Sequence, residues 1–255
     1  MTFSFFVGIM IAANTFEQSY QDYLFNYDQY RQAHANYVIS RQAYLSYQTL
    51  TAKSEAQTKT LHMLKSRDET LKTYLTTLKD KITQQEGLSP TEKESELAQL
   101  ENEAALYQDH QERLPSAGTL EDLVDSSQEA RQHYRHTESL IYQTLVTILS
   151  GKENFWRSQL IDQIKAIKSN LARIKDNGDK ETNKAERWLL EAENRITRSQ
   201  EKQQKANANL ADLNNSSNRN EVYNQSQFAL EESRQYLKEA DSYLKEVVRE
   251  IKTAD

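Results

Sequence analysis

Apolar residues recur along this chain in steps of three and four, the period of helices packed side by side. Leu61, Leu64, Asp68, Leu71, Leu75, Leu78 and Ile82 form one such column, broken by a charge only at Asp68. Leu120, Leu123, Ser127, Ala130, Tyr134, Thr137 and Ile141 form another, and Leu160, Ile164, Ile167, Leu171 and Ile174 resume it. Between them LIYQTLVTIL is apolar on several faces, which marks Leu140 to Leu149 as the most buried stretch. Further on come Leu189, Ala192, Ile196, Ser199, Gln203, Ala206, Leu210 and Leu213. They are matched by Tyr223, Leu230, Leu237, Leu244 and Ile251, with Ser226, Ser233, Ala240 and Val247 three residues after each of the first four. Small residues in both columns predict a close antiparallel hairpin.

Helix breakers are few. No Gly or Pro occurs from Thr15 to Glu86, so one helix over 15–86 is expected, about 108 Å long at the usual rise. Gly87 ends it, and Ser89 and Pro90 start a second helix over 90–113. LPSAG separates this from a third over 119–175, capped by Thr119 and with Gly151 as a kink or break. DNGDKE stops that helix, a fourth spans 179–213, and after the polar NNSSNRN a fifth spans 220–253. The fold class is therefore all-α: an elongated, coiled-coil-like antiparallel bundle of about five long helices, read as a single domain over 14–255.

The first long helix carries a tyrosine stripe. Phe16, Tyr23, Tyr30, Tyr37 and Tyr44 lie seven apart, and Tyr20 and Tyr27 fall midway at alternate core positions. Such a ladder suits either a helix-packing seam or a surface that stacks on sugars or another polymer. The shared period with the leucine columns favours the seam. Around Tyr44, Tyr47 and Leu50 the spacing shortens, which predicts a bend there. Two layouts follow. In one, the second and third helices run back together along the first, LPSAG is a kink, and the last two helices dock beside the tyrosines. In the other, the second and third helices form an up-and-down bundle with Leu61 to Ile82, and the tyrosine face is left for a second protomer. The first buries Tyr20 to Tyr47 within one chain and is the expected one.

Composition narrows the function classes. With 32 basic and 38 acidic residues intermixed there is no basic face for nucleic acid. The chain has no cysteine, so disulfides and thiolate metal sites are excluded. His133 and His136, with Glu129 one turn earlier, make a two-imidazole and carboxylate set that a divalent metal could use, although a solvated polar face has the same pattern. No nucleophile elbow, phosphate loop or zinc signature occurs, and no enzyme activity or cofactor is expected. FFVGIMIAA near the start reads as a truncated signal peptide over 1–13, too short to span a bilayer. The segments FEQSYQDYLFNYDQYRQAHANY, YQTLTAKSEA and SRDETLKTYL resemble a group of uncharacterised, secreted helical proteins of small-genome bacteria known mainly from metagenomes. The likeness covers about the first eighty residues and implies an exported chain, with no activity or functional residue attached.

The leading expectation is a non-enzymatic extracytoplasmic spacer or docking scaffold that engages a protein partner or itself, with no membrane span in the mature chain. One alternative is a binding module that offers Tyr20, Tyr23, Tyr27, Tyr30, Tyr37 and Tyr44 to a glycan or cell-surface polymer, and another is a cytoplasmic coiled-coil adaptor. Exposure of the tyrosine rings separates the scaffold from the binding module.

Overall fold

A computed structural model describes residues 4–177, 181–213, 216 and 218–253, leaving out the side chains of 4–14, 177 and 253. The predicted leader over 1–13 therefore falls outside the described side chains. Among the described residues the fold is all-α. Its elements are α1 (Ser4–Tyr47), α2 (Leu50–Thr83), α3 (Pro90–Arg113), a 3-10 turn (Leu114–Ser116), α4 (Leu120–Asn177), α5 (Asn183–Leu210) and α6 (Arg219–Thr253). Among the described residues no helix is long and apolar enough to cross a membrane.

Six helices replace the expected five because the helix predicted over 15–86 is two. Gln48 adopts a left-handed conformation with φ of 49°, and Thr49 caps α2 by accepting the Ala52 N–H on its hydroxyl at 3.2 Å. A side chain costs about 1–2 kcal/mol in that conformation, so nothing in the residue types advertised a reversal. The predicted bend at Tyr47 is a full hairpin turn. Gly151, expected to kink or break the third helix, lies inside an uninterrupted α4. Thr119 does cap α4: its hydroxyl accepts the Asp122 N–H, and the Asp122 carboxylate accepts the Thr119 N–H.

The chain divides into two compact units, Met1–Gln84 with Pro90–Thr144, and Gln85–Ser89 with Leu145–Asp255, where the sequence had suggested one bundle. In the first, α1 and α2 are antiparallel. The Thr70 hydroxyl lies 3.0 Å from the Asn26 carbonyl oxygen and the Thr77 hydroxyl 2.9 Å from the Ser19 carbonyl oxygen, each sharing its proton with the carbonyl four residues earlier on α2. A threonine reaches the backbone of a neighbouring helix only where the two helices nearly touch. The same register, continued by sevens, sets Ala33 by Met63 and Ser40 by Ala56, all four buried. Small residues on α1 thus form its tightest line of contact, and the tyrosines three positions earlier lie about 60° round the helix.

α3 buries a column of Glu96, Leu100, Glu103, Tyr107 and His110. Its register with α4 is also antiparallel, since Glu96 accepts from Thr144 while Glu103 accepts from Thr137. LPSAG is consequently a reversal. The layout that needed it as a kink is replaced by an up-down-up-down arrangement of α1, α2, α3 and the first part of α4.

In the second unit α5 and α6 form the antiparallel hairpin that their small residues predict. Ser199 and Ser233 hydrogen-bond at 2.9 Å, and Ala192, Ala240, Ala206 and Ser226 at the neighbouring layers are fully buried. Leu160, Ile164 and Leu171 of α4 complete this core with Leu189, Leu237 and Leu244. The Gln85–Ser89 turn lies against α4 backbone to backbone: a methyl group on Gly87 would stand 1.8 Å from the Gly151 carbonyl oxygen. Asn154 donates to the Gly87 carbonyl at 3.3 Å. The two glycines that read as helix punctuation are a docking contact.

The turn at Gln48 yields a direct expectation. Glycine adopts a positive φ without penalty, so Gln48→Gly should stabilise the chain by about 1 kcal/mol in urea unfolding. No gain, or a loss, would mean that the left-handed turn is absent.

Candidate functional site

Where α1 leans on α2 and turns its tyrosines aside, an open cleft of about 540 Å³ lies between α1, α2 and α4 within the first unit. α1 lines it with Tyr23, Tyr27 and Tyr30; α2 with Arg67, Thr70, Leu71 and Tyr74; α4 with Ser127, Ala130, Arg131, Tyr134 and Ile141. The volume is that of a ligand site, and the lining has the mostly apolar walls and few polar groups that such sites use. Tyr23 stands 4.8 Å from Tyr74 between ring centroids, and Phe16, Tyr20, Tyr23 and Tyr27 follow one another at about 6 Å along α1. Across the cleft, Tyr134 is 42% exposed, close to the 43% of Tyr27.

Burial, and then the neighbouring phenols of Tyr27 and Tyr20, pushes the Tyr23 hydroxyl above its usual pKa. Burial does the same to Tyr134, helped by Glu138, Tyr142 and the phenols of Tyr23 and Tyr30. Both therefore keep their protons and can donate as well as accept. Arg67 is held at the cleft by Asp68, its Nε and Nη2 donating to Oδ1 at 3.3 and 3.2 Å.

The structure divides the tyrosines that the sequence groups together. Tyr23, Tyr27 and Tyr30 face the cleft, whereas Tyr30 and Tyr37 also pack against Ala33, Met63, Leu64, Leu114 and Leu123. Tyr20 is 39% exposed beside the cleft, and Tyr44 is half-buried towards the Gln48 turn. Arg67, Tyr74 and Arg131 carried no signal of their own. Tyr134 read as one more member of a core column.

The other titratable clusters are structural in their geometry. Asp68, the charge inside a leucine column, is fully buried and bonded to His110 Nδ1 at 2.6 Å, while the other ring nitrogen of His110 lies 3.3 Å from the Ser126 carbonyl. His133 turns not to Glu129 but to Glu103 of α3, at 2.8 Å, and His136 stands 4.0 Å from the same carboxylate. Glu103 also accepts from Thr137, whose hydroxyl bonds that of Tyr107 at 2.6 Å. Among the described residues no three His, Cys, Asp or Glu side chains are arranged to hold a metal ion.

Glu153 is different. It is 1% exposed in the core of the second unit, and neither carboxylate oxygen has a hydrogen-bond partner. Burial raises its pKa to about 6, opposed by the nearby Ser233 hydroxyl and the guanidinium groups of Arg157 and Arg234. Arg157 directs Nη1 to Asn154 at 2.9 Å and Nη2 to Ser199 at 3.0 Å, while its buried Nε has no hydrogen-bond partner. A carboxylate whose folded pKa lies above its unfolded value near 4.5 binds its proton more tightly in the native state. Its stabilising contribution is fully present below that unfolded value and is lost as pH rises through about 6. The loss amounts to about 2 kcal/mol at neutral pH. Comparing urea unfolding of the parent and Glu153→Gln from pH 4 to 8 should isolate this fall, present in the parent and missing in the variant. Parallel pH profiles would show that Glu153 does not titrate in this range.

Compared with protein-family models, with curated proteins and with solved structures, the chain matches none.

Proposed function

We propose that this chain is a non-enzymatic binding module of the cell envelope whose tyrosine-lined cleft holds a glycan or related surface polymer. One observation carries the reading: the tyrosine stripe opens into a cleft of about 540 Å³ in which rings from three helices are presented together. Ring exposure is what separates a ligand surface from a seam, and Tyr20, Tyr27 and Tyr134 are each about 40% exposed. Tyrosine suits the task because its face packs on the C–H surface of a sugar ring and its hydroxyl bonds the ring's own hydroxyls. The five aromatic residues lining the cleft are all tyrosine, although the chain contains seven phenylalanines. Phenols, guanidinium groups and aliphatic side chains bind and orient, so the reading is capture without turnover. The apolar FFVGIMIAA segment supports a place outside the cytoplasm.

A docking scaffold for another protein is the second reading, favoured by Phe25 and Ile39 of α1, which are 64% and 69% exposed. The two are separated by titrating the chain with a panel of purified polysaccharides, parent against Tyr27→Ala and Tyr134→Ala. Both substitutions fall on partly exposed positions, so the fold should hold by circular dichroism. Binding to a member of the panel that weakens about tenfold in each variant supports the module. Failure of every saccharide, or binding indifferent to both tyrosines, overturns it in favour of the scaffold.

A further inference from the structure

Resting on the binding-module reading, we propose that the cleft selects an acidic saccharide, a uronic-acid polymer whose carboxylate is taken by Arg131 while its rings lie against Tyr27 and Tyr134. The lining reverses the charge balance of the chain. Acidic residues outnumber basic ones 38 to 32 overall, yet the cleft is lined by Arg67 and Arg131 and by no Asp or Glu. The two arginines are not equivalent. Arg67 is compensated by the buried Asp68 at 3.2 Å and serves as wall. Arg131 is exposed and pairs with no carboxylate among the described residues. A guanidinium fork matches a carboxylate in two parallel hydrogen bonds, which an unpaired Arg beside stacking rings can give at no cost of breaking an existing pair.

The surface next to the cleft extends the same chemistry. Arg131, Gln132, Tyr134 and Arg135 border an adjoining depression on α4, so a polymer leaving the cleft on that side passes a second guanidinium one turn away. An acidic peptide would satisfy the arginines but has no flat C–H faces for the phenols. A neutral glycan would satisfy the phenols and leave Arg131 unused.

Polygalacturonate and its fully methyl-esterified form share rings and linkages and differ in that a neutral methyl ester replaces each carboxylate, and polyglutamate supplies charge without rings. Binding of the intact chain to all three is measured by isothermal titration calorimetry, for the parent, Arg131→Gln and Tyr27→Ala. The expected result is that polygalacturonate binds at least about tenfold more tightly than its ester and weakens as salt is raised. Arg131→Gln should remove most of that preference, and Tyr27→Ala should weaken both saccharides. Equal binding of acid and ester overturns the acidic preference and leaves the glycan reading standing. Binding of polyglutamate as tight as that of polygalacturonate, unchanged in Tyr27→Ala, overturns the saccharide assignment. No binding of either form of the saccharide overturns the inference, while the polysaccharide panel separately decides the module.

Discussion

The close approach of α1 to α2 across a line of small residues is the constraint on which the first unit depends. Thr70 and Thr77 can donate to the backbone carbonyls of Asn26 and Ser19 only because no bulky side chain stands between the two helices. A phenol on that line would hold the helices apart and forfeit both bonds. The tyrosines are therefore carried to the flank, and the space beside α4 becomes a cleft walled by aromatic rings. The α5–α6 hairpin repeats the device with Ala192, Ser199 and Ala206 against Ala240, Ser233 and Ser226. There leucine and isoleucine of α4 cover the small-residue layers, and Trp156, Trp188 and Tyr243 pack against the core.

Polar groups inside the first unit fix which layers meet. Leucine columns slide past one another at little cost, because each layer resembles the next. Asp68 with His110, Glu103 with Thr137 and His133, and Glu96 with Thr144 admit only one register, since any slip leaves a buried charge without its partner. Removing one member of such a pair is far more damaging than replacing both. Glu153 shows the same chemistry without satisfaction: a core carboxylate near Arg157 that its neighbours do not reach.

Much of this architecture could be read from spacing alone. The columns over Leu61 to Ile82 and Leu189 to Leu213, the Thr119 cap and the α5–α6 hairpin all followed from residue type at a fixed period. The reversal at Gln48 could not, because a glutamine in a left-handed turn looks like any other helix former. The tyrosines point to the wrong line, since large residues dominate a periodicity and the small Ser19, Ala33 and Ser40 that make the contact do not. The column on α3 is illegible for a related reason: Glu96, Glu103 and His110 keep a helical period but are not apolar. The cleft depends on all three features together. Its α1 wall was visible in sequence, while Arg67, Tyr74 and Arg131 became part of it only through the hairpin.

The hairpin is thus the claim from which the cleft and its chemistry follow, and the chain's lack of cysteine makes it easy to test. In the double variant Asn26→Cys with Thr70→Cys, the hairpin sets the two positions side by side, because the Thr70 hydroxyl lies 3.0 Å from the Asn26 carbonyl oxygen. Mild oxidation should close an intramolecular bridge rapidly in the monomer, seen as a thiol loss and a shift on a non-reducing gel. In an unbroken helix over 15–86 the same residues would lie about 66 Å apart. Free thiols after oxidation, or bridges formed only between chains, would contradict the hairpin and the cleft with it.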